Sequence, residues 1–222
     1  MRSTRQNNGM GAASGGYETI AARVETEIEI ERSRFICTLA RVDTEDAARE
    51  VIAAVRAAQP KARHHCTAFL VGANGELARS SDDGEPSGTA GQPMLEALRG
   101  EGLSDVVAVV TRHFGGVLLG TGGLVRAYTA SVQASAKAAT RVRRSLRTRI
   151  AVRADYERGP ALEAELRRLG HVPLHVEYGT DMRIDVGVAP SEAGAFTARI
   201  AELTAGAAST AAAETVYVDE SA

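Results

Sequence analysis

Apolar and polar residues alternate along IEIERSRFICTLARV, residues 28–42, which predicts a strand or hairpin between Val24 and Val42. Asp43 and Thr44 then stand where a helix N-cap belongs, with Glu45 and Asp46 in the first turn of a helix that runs to about Ala58. Cys66 to Val71 reads as a strand closed by a turn at Ala73-Asn74-Gly75. Pro93 in the first turn marks a helix from Gln92 to Arg99, the β-branched run Val106 to Thr111 a strand, and Thr121 to Ala139 a third helix.

Beyond a basic stretch the pattern restarts. Arg149 to Ala154 is strand-like, Gly159-Pro160 opens a helix to Leu169, and Gly170 ends it. His171 to Tyr178 and Asp181 to Val188 form two strands around Gly179-Thr180, followed by a helix from Ser191 to Leu203 and a strand at Thr215 to Val218. The order β-α-β-β-α-β is ferredoxin-like, and the whole chain reads as α+β. The first strand of this set lacks the aromatic motif with which ribonucleoprotein domains stack bases.

Two loops carry the candidate chemistry. VVTRHFGGVLLGTGGLVRAY, residues 109–128, places Gly115, Gly116, Gly120, Gly122 and Gly123 between a strand and a helix, with Arg112 and Arg126 on either side. Glycine lets another molecule approach the backbone, and a helix beginning near Thr121 turns its unpaired N–H groups and positive dipole end toward the loop, a setting for phosphate or carboxylate. The loop lacks the lysine of a P-loop, and Gly120-Thr121-Gly122-Gly123 lacks the third glycine of a dinucleotide loop. A turn that merely lets a helix pack close to a sheet accounts for the same glycines.

SSDDGEPSGTAGQP, residues 80–93, holds Asp82, Asp83 and Glu85, then Ser87 and Thr89, and its prolines and glycines predict a loop. Such carboxylates suit Mg²⁺ ligation, a general acid/base pair, or the capping of a turn. Both loop-to-helix junctions are expected at one edge of the amino-terminal sheet, bringing Asp82, Glu85 and Arg126 together, with Arg126 either holding a ligand or pairing with the acidic loop.

Composition narrows the setting. A chain of 222 residues that is 44% apolar buries a core as one large domain or two small ones. No run approaches the roughly 18 apolar residues of a membrane span, and the polar, glycine-rich residues 1–16 read as a flexible tail without a signal core, so a cytoplasmic protein is expected. Two cysteines, Cys37 and Cys66, indicate reduced thiols rather than a disulfide scaffold. A net charge of −2 argues against a polyanion-coating protein, and the carboxyl-terminal third is the more acidic part, which leaves the amino-terminal part to meet phosphate. Arg141, Arg143, Arg144, Arg147 and Arg149 form a basic run that either contacts RNA backbone or keeps a linker solvated. Four Phe, five Tyr and no Trp offer few base-stacking candidates.

DDGEPSGTAGQP (residues 82–93) paired with TRHFGGVLLGTGGLVRAY (residues 111–128), preceded by SRFIC (33–37) and HHC (64–66), resembles the YigZ/IMPACT family from about Val24 to Ala139. The remainder resembles the small second domain of the bacterial YigZ branch. The resemblance implies a domain over residues 17–140 like the second domain of a small-subunit ribosomal protein, a linker over 141–147, and a ferredoxin-like domain over 148–222. It also implies a translation-associated regulator whose partners are RNA, the ribosome or a protein of translation control. The eukaryotic branch engages its protein partner with an additional amino-terminal domain that this chain lacks, so that partner is not carried over.

The expectation is therefore a non-enzymatic protein that binds its ligand through Asp82, Asp83, Glu85, Ser87, Thr89, Arg112, Gly115, Gly116, Gly120, Gly122, Gly123 and Arg126, without cofactor, metal or membrane. The sequence sets no oligomeric state. The alternative is a hydrolase or a phosphate- or carboxylate-binding enzyme that uses the Asp82/Asp83/Glu85 loop with His64 or His113. His64 and Cys66 share a strand face in that reading, and His65 points the other way.

Overall fold

The computed structural model describes residues 15–220. The chain is a mixed α+β protein whose described residues divide into two units, Tyr17–Arg143 and the residues from Arg144 onward with the few that precede Tyr17. The tail expected over 1–16 falls outside the described residues except for Gly15 and Gly16, and Gly16 opens a strand, β1 (Gly16–Ile20).

The predicted hairpin is β2 (Val24–Ile30) and β3 (Ser33–Arg41). Glu31 and Arg32 join the two with φ of +48° and +62°, the left-handed pair that a tight hairpin turn demands even of L residues. Helix α1 (Glu45–Ala58) starts where its cap predicts, the Thr44 hydroxyl accepting the Ala47 N–H at 3.1 Å. Then come β4 (His64–Val71), β5 (Leu77–Ser81), α2 (Gly91–Gly100), β6 (Val106–His113) and α3 (Gly120–Ala138). Strand β5 takes up Ser80 and Ser81, expected as loop, because Thr67 and Ala68 of β4 offer them ladder partners.

The strands lie in the antiparallel order β2-β3-β6-β4-β5. Alternation along them feeds two cores. Cys37, Leu39, Cys66, Ala68, Ala108 and Val110 pack with Met94 and Leu98 of α2 and with Tyr128 and Val132 of α3. On the opposite face Phe69, Val107 and Val109 pack with Ala48 and Val55 of α1.

The second unit takes in β7 (Arg141–Ala154) from Arg144 onward, and this strand, α4 (Gly159–Arg168), β8 (Pro173–Tyr178), β9 (Met182–Val188), α5 (Ala193–Leu203) and β10 (Ser209–Asp219) follow the predicted β-α-β-β-α-β sequence. The strands run antiparallel in the ferredoxin-like order β10-β7-β9-β8. Ile150, Val152, Ile184 and Val186 meet Leu162, Leu166, Phe196 and Ile200 of the two helices.

Residues 141–147 are not a coil linker but the first half of β7. Strand β10 continues to Asp219 and gives residues 144–147 ladder partners, among them Leu146 opposite Tyr217 and Arg144 opposite Asp219. The basic run is also drawn into ion pairs, Arg141 with Glu18 (3.0 Å) and Glu101 (2.6 Å), Arg144 with Asp219 (3.1 Å), and Arg149 with Asp185. Among the described residues no helix is long and apolar enough to cross a membrane.

Candidate functional site

Register brings the site together. Phe35 of β3 stands opposite Arg112 of β6, and Arg112 opposite His64 of β4, so these three side chains form one row across the sheet. The row lies on the face that α2 and α3 cover, because Arg112 alternates in phase with Ala108 and Val110. At the end of the row the chain leaves the sheet as Phe114, turns through the glycine loop and enters α3.

Arg112 is buried at 7% exposure, its guanidinium lying 5.4 Å from the Phe35 ring centroid and 5.7 Å from that of Phe114. Nη1 donates to Glu85 Oε1 at 2.8 Å, and the Tyr128 hydroxyl donates to the same oxygen at 2.7 Å. Nη2 reaches the Ser33 hydroxyl at 3.4 Å, and that oxygen also accepts the Gly115 N–H at 3.2 Å. Burial pushes the Tyr128 phenol well above its ordinary range, and the adjacent Cys66 and Glu85 push it further, so it stays a donor. The ion pair to the acidic loop is thus made by Arg112. Arg126, for which the sequence left open either a ligand or a pairing with the acidic loop, is exposed on α3 and pairs with none of the loop's carboxylates.

The three carboxylates have separate internal tasks. Asp82 Oδ1 accepts the N–H groups of Ala90 (3.0 Å) and Gly91 (2.8 Å), and Oδ2 that of Gly88 (2.8 Å), so Asp82 caps α2 although position 90 is alanine. Burial raises the Asp82 carboxyl, but the three donors outweigh it and hold the group below its ordinary 3.8. Asp83 accepts the His65 N–H at 2.6 Å and pairs with Arg56 at 2.7 Å. Glu85 is the Arg112 partner. Thr89 is buried with its hydroxyl on the Pro86 carbonyl, and Ser87 is exposed at the loop tip.

We expect Asp82→Ala to cost about 1–2 kcal/mol, the usual worth of a cap. Because the folded value lies below the unfolded one, this stabilisation is present above about pH 4 and fades as pH falls through the folded value. Urea unfolding of parent and variant between pH 7 and pH 3 checks both, and a difference that grows on acidification would sink the assignment.

The histidines and cysteines are engaged as well. His64 Nδ1 donates to the Asp83 carbonyl at 2.9 Å, and the Cys66 thiol donates to the Asp82 carbonyl at 3.0 Å. Burial pushes Cys66 up to about 12, which opposes a thiolate. Burial also lowers His65, against the pull of Asp83, and its ring meets Thr111 at 3.1 Å on the other face. His113 meets Gln59 at 3.1 Å. Among the described residues no three His, Cys, Asp or Glu side chains are grouped to hold a metal.

The glycine loop opens onto a cleft of about 470 Å³. Glu85 and Pro86 of the acidic loop form one side, Gly120 and Thr121 of α3 the other, with Arg112 in the wall. Both loops therefore meet at one place, as expected, but Asp82 and Arg126 are not part of its lining. Helix α3 begins there without a side-chain cap and without a carboxylate in its first turn. Arg126 folds back so that Nη1 lies 3.6 Å from where a Gly122 Cβ would stand, adding positive charge to an already positive helix end. Gly116 and Gly120 take φ of +86° and +68°, whereas Gly122 and Gly123 have no left-handed φ and serve as the first turn itself.

Arg63, Phe114 and Leu118 line the cleft and escaped the sequence reading. The alternation Ala108, Val110, Arg112 would have extended to Phe114, whereas Arg63 and Leu118 sit in loops without a period to follow.

Two family models match the chain, "Impact N-terminal domain" over residues 31–136 and "Domain of unknown function (DUF1949)" over residues 152–207. IMPACT family member YvyE of Bacillus subtilis is 40% identical over 204 residues, a match that covers 92% of this chain and 94% of that protein. IMPACT family member YigZ of Escherichia coli is 38% identical over 188 residues, covering 84% and 92%. A solved structure described only as a hypothetical protein superposes with a TM-score of 0.64 at 37% identity, covering 90% of this chain and 98% of that one.

Proposed function

The chain belongs to the IMPACT family, and on that premise we propose that it is a cytoplasmic, translation-associated regulator that binds RNA phosphate on or near the ribosome and catalyses no reaction. The observation that carries this reading is the start of α3, uncapped, free of carboxylates and overlaid by the Arg126 guanidinium, at the edge of a cleft. Backbone N–H groups from Gly120 to Gly123 supply donors, and Arg63 and Arg126 supply charge. Asp82, Asp83, Glu85 and Arg112 hold the two loops in place. A hydrolase would need these carboxylates for proton transfer, and each is committed to an internal partner.

Gly122→Val and Arg126→Ala test the site separately. Among the described residues, apart from its own chain neighbours and helix backbone, the end of Arg126 is what lies within 4 Å of a Cβ at position 122, so valine is accommodated without disturbing the core. In filter binding with labelled ribosomal RNA, the valine variant should lose affinity at every salt concentration, since it blocks the backbone donors. The alanine variant should bind more weakly, with a salt slope shallower by about one contact. If both fold and bind like the parent, the glycine loop is architectural and the proposal fails.

A further inference from the structure

The cleft beside α3 is more apolar than a phosphate site requires. Phe114 is 50% exposed and Leu118 88% exposed, and both face the cleft with Pro86 and Leu124. Isolated exposed apolar residues are ordinary, but these four gather around one concavity whose polar rim is cationic. Among the described residues Glu85 is the one carboxylate in the lining, and the Arg112 guanidinium and Tyr128 hydroxyl consume it. Arg112 stands more than nine-tenths buried in the wall, and its Nε has no partner among the described residues.

Phe114 is mounted like a stacking platform. The Arg112 guanidinium supports its ring from the sheet side at 5.7 Å, and Arg112 is itself clamped by Phe35, Glu85 and Ser33. A volume of about 470 Å³ falls within the range of small-ligand sites and holds one nucleoside with its phosphate. Charge complementarity selects an anion, and the half-exposed aromatic selects a ligand with a planar apolar part.

Building on the RNA-phosphate reading, we infer that the cleft receives one unstacked nucleotide of single-stranded RNA, its phosphate on the first turn of α3 and its base on Phe114 beside Leu118. Duplex RNA cannot enter this way, because its bases are stacked and paired. The preference is for strandedness rather than sequence, since every base has a π-face.

The test uses the full chain and three fluorescent probes: an oligouridylate of about ten nucleotides, within the site size of single-strand binders, its abasic counterpart and an RNA duplex. The parent should bind the oligouridylate roughly 5- to 100-fold more tightly than the abasic strand, the range expected for stacking one base. Phe114→Ala should abolish that difference, and Phe114→Tyr should restore it. Thermal melts of both variants confirm folding, and the exposed position of the ring makes that a mild demand.

Equal binding of base-bearing and abasic strands by the parent would overturn the base platform and leave the phosphate site standing, as would undiminished preference in Phe114→Ala. Duplex bound as well as single strand would overturn the preference for strandedness. Failure of the parent to bind any of the three probes would overturn the phosphate reading as well. A protein crosslinked at position 118 in that case would make the cleft a protein-docking surface.

Discussion

Glu85→Ala is expected to destabilise the amino-terminal unit by about 3–5 kcal/mol, the cost of leaving a buried partner charge uncompensated. The side chains of Arg112 and Glu85 are 8% and 4% exposed. Alanine would strand the guanidinium between Phe35 and Phe114 with only the Ser33 hydroxyl near it, and would also take the acceptor from the Tyr128 hydroxyl. Replacing both members, Glu85→Leu with Arg112→Met, should recover part of that loss, because an apolar pair has no desolvation to offset while the Tyr128 hydroxyl still lacks its acceptor. Urea unfolding at neutral pH measures both. A loss below about 1 kcal/mol for Glu85→Ala, no larger than for an exposed pair, would mean that Arg112 is hydrated in the cleft and available to a ligand. Arg112 would then be a contact residue rather than one that positions Phe114.

What the sequence reveals here depends on how local the cause is. Thr44 with Glu45 and Asp46 sets the start of α1 within one turn, and the β-α-β-β-α-β order follows from periods that each element carries itself. Strand β5, LARSS, is half-exposed and polar and leaves no alternation to read; it exists because β4 offers it partners. The same holds for residues 144–147, part of the stretch that reads as linker by charge, which become strand because β10 extends beside them.

The candidate site divides along the same line. Glycine conformations and the α3 junction are local and legible, whereas the choice of Arg112 over Arg126 as partner of the acidic loop is not. That choice rests on the register of β3, β6 and β4, which puts Phe35, Arg112 and His64 in one row beneath the loop that follows β5. Asp82 was legible as a capping residue type but not as the cap of α2, since nine positions separate it from Gly91 and the loop must double back to bring them together.

Gly115→Ala is expected to cost more than about 3 kcal/mol, at the upper end of what crowding a packed interior does, while Gly116→Ala costs about 1–2 kcal/mol. The neighbours differ in what each glycine provides. A Cβ at 115 would overlap the carbonyl carbon and oxygen of Arg32 and stand 2.5 Å from the Ser33 nitrogen. Those are backbone atoms in the β2–β3 turn, held by the left-handed pair Glu31 and Arg32, and they cannot retreat without opening the hairpin. Retreat would also withdraw the Ser33 hydroxyl from Arg112 and from the Gly115 N–H, loosening the support of Phe114. At 116 no described residue beyond the chain neighbours lies within 4 Å, so alanine there meets the penalty of φ +86°. Urea midpoints of the two variants separate the cases, and similar losses for both would show that the loop's role is conformational rather than a close approach to the hairpin. On the proposed RNA-binding reading, the folded fraction of Gly116→Ala should bind RNA as the parent does, because its change leaves the first turn of α3 and the Phe114 ring where they are.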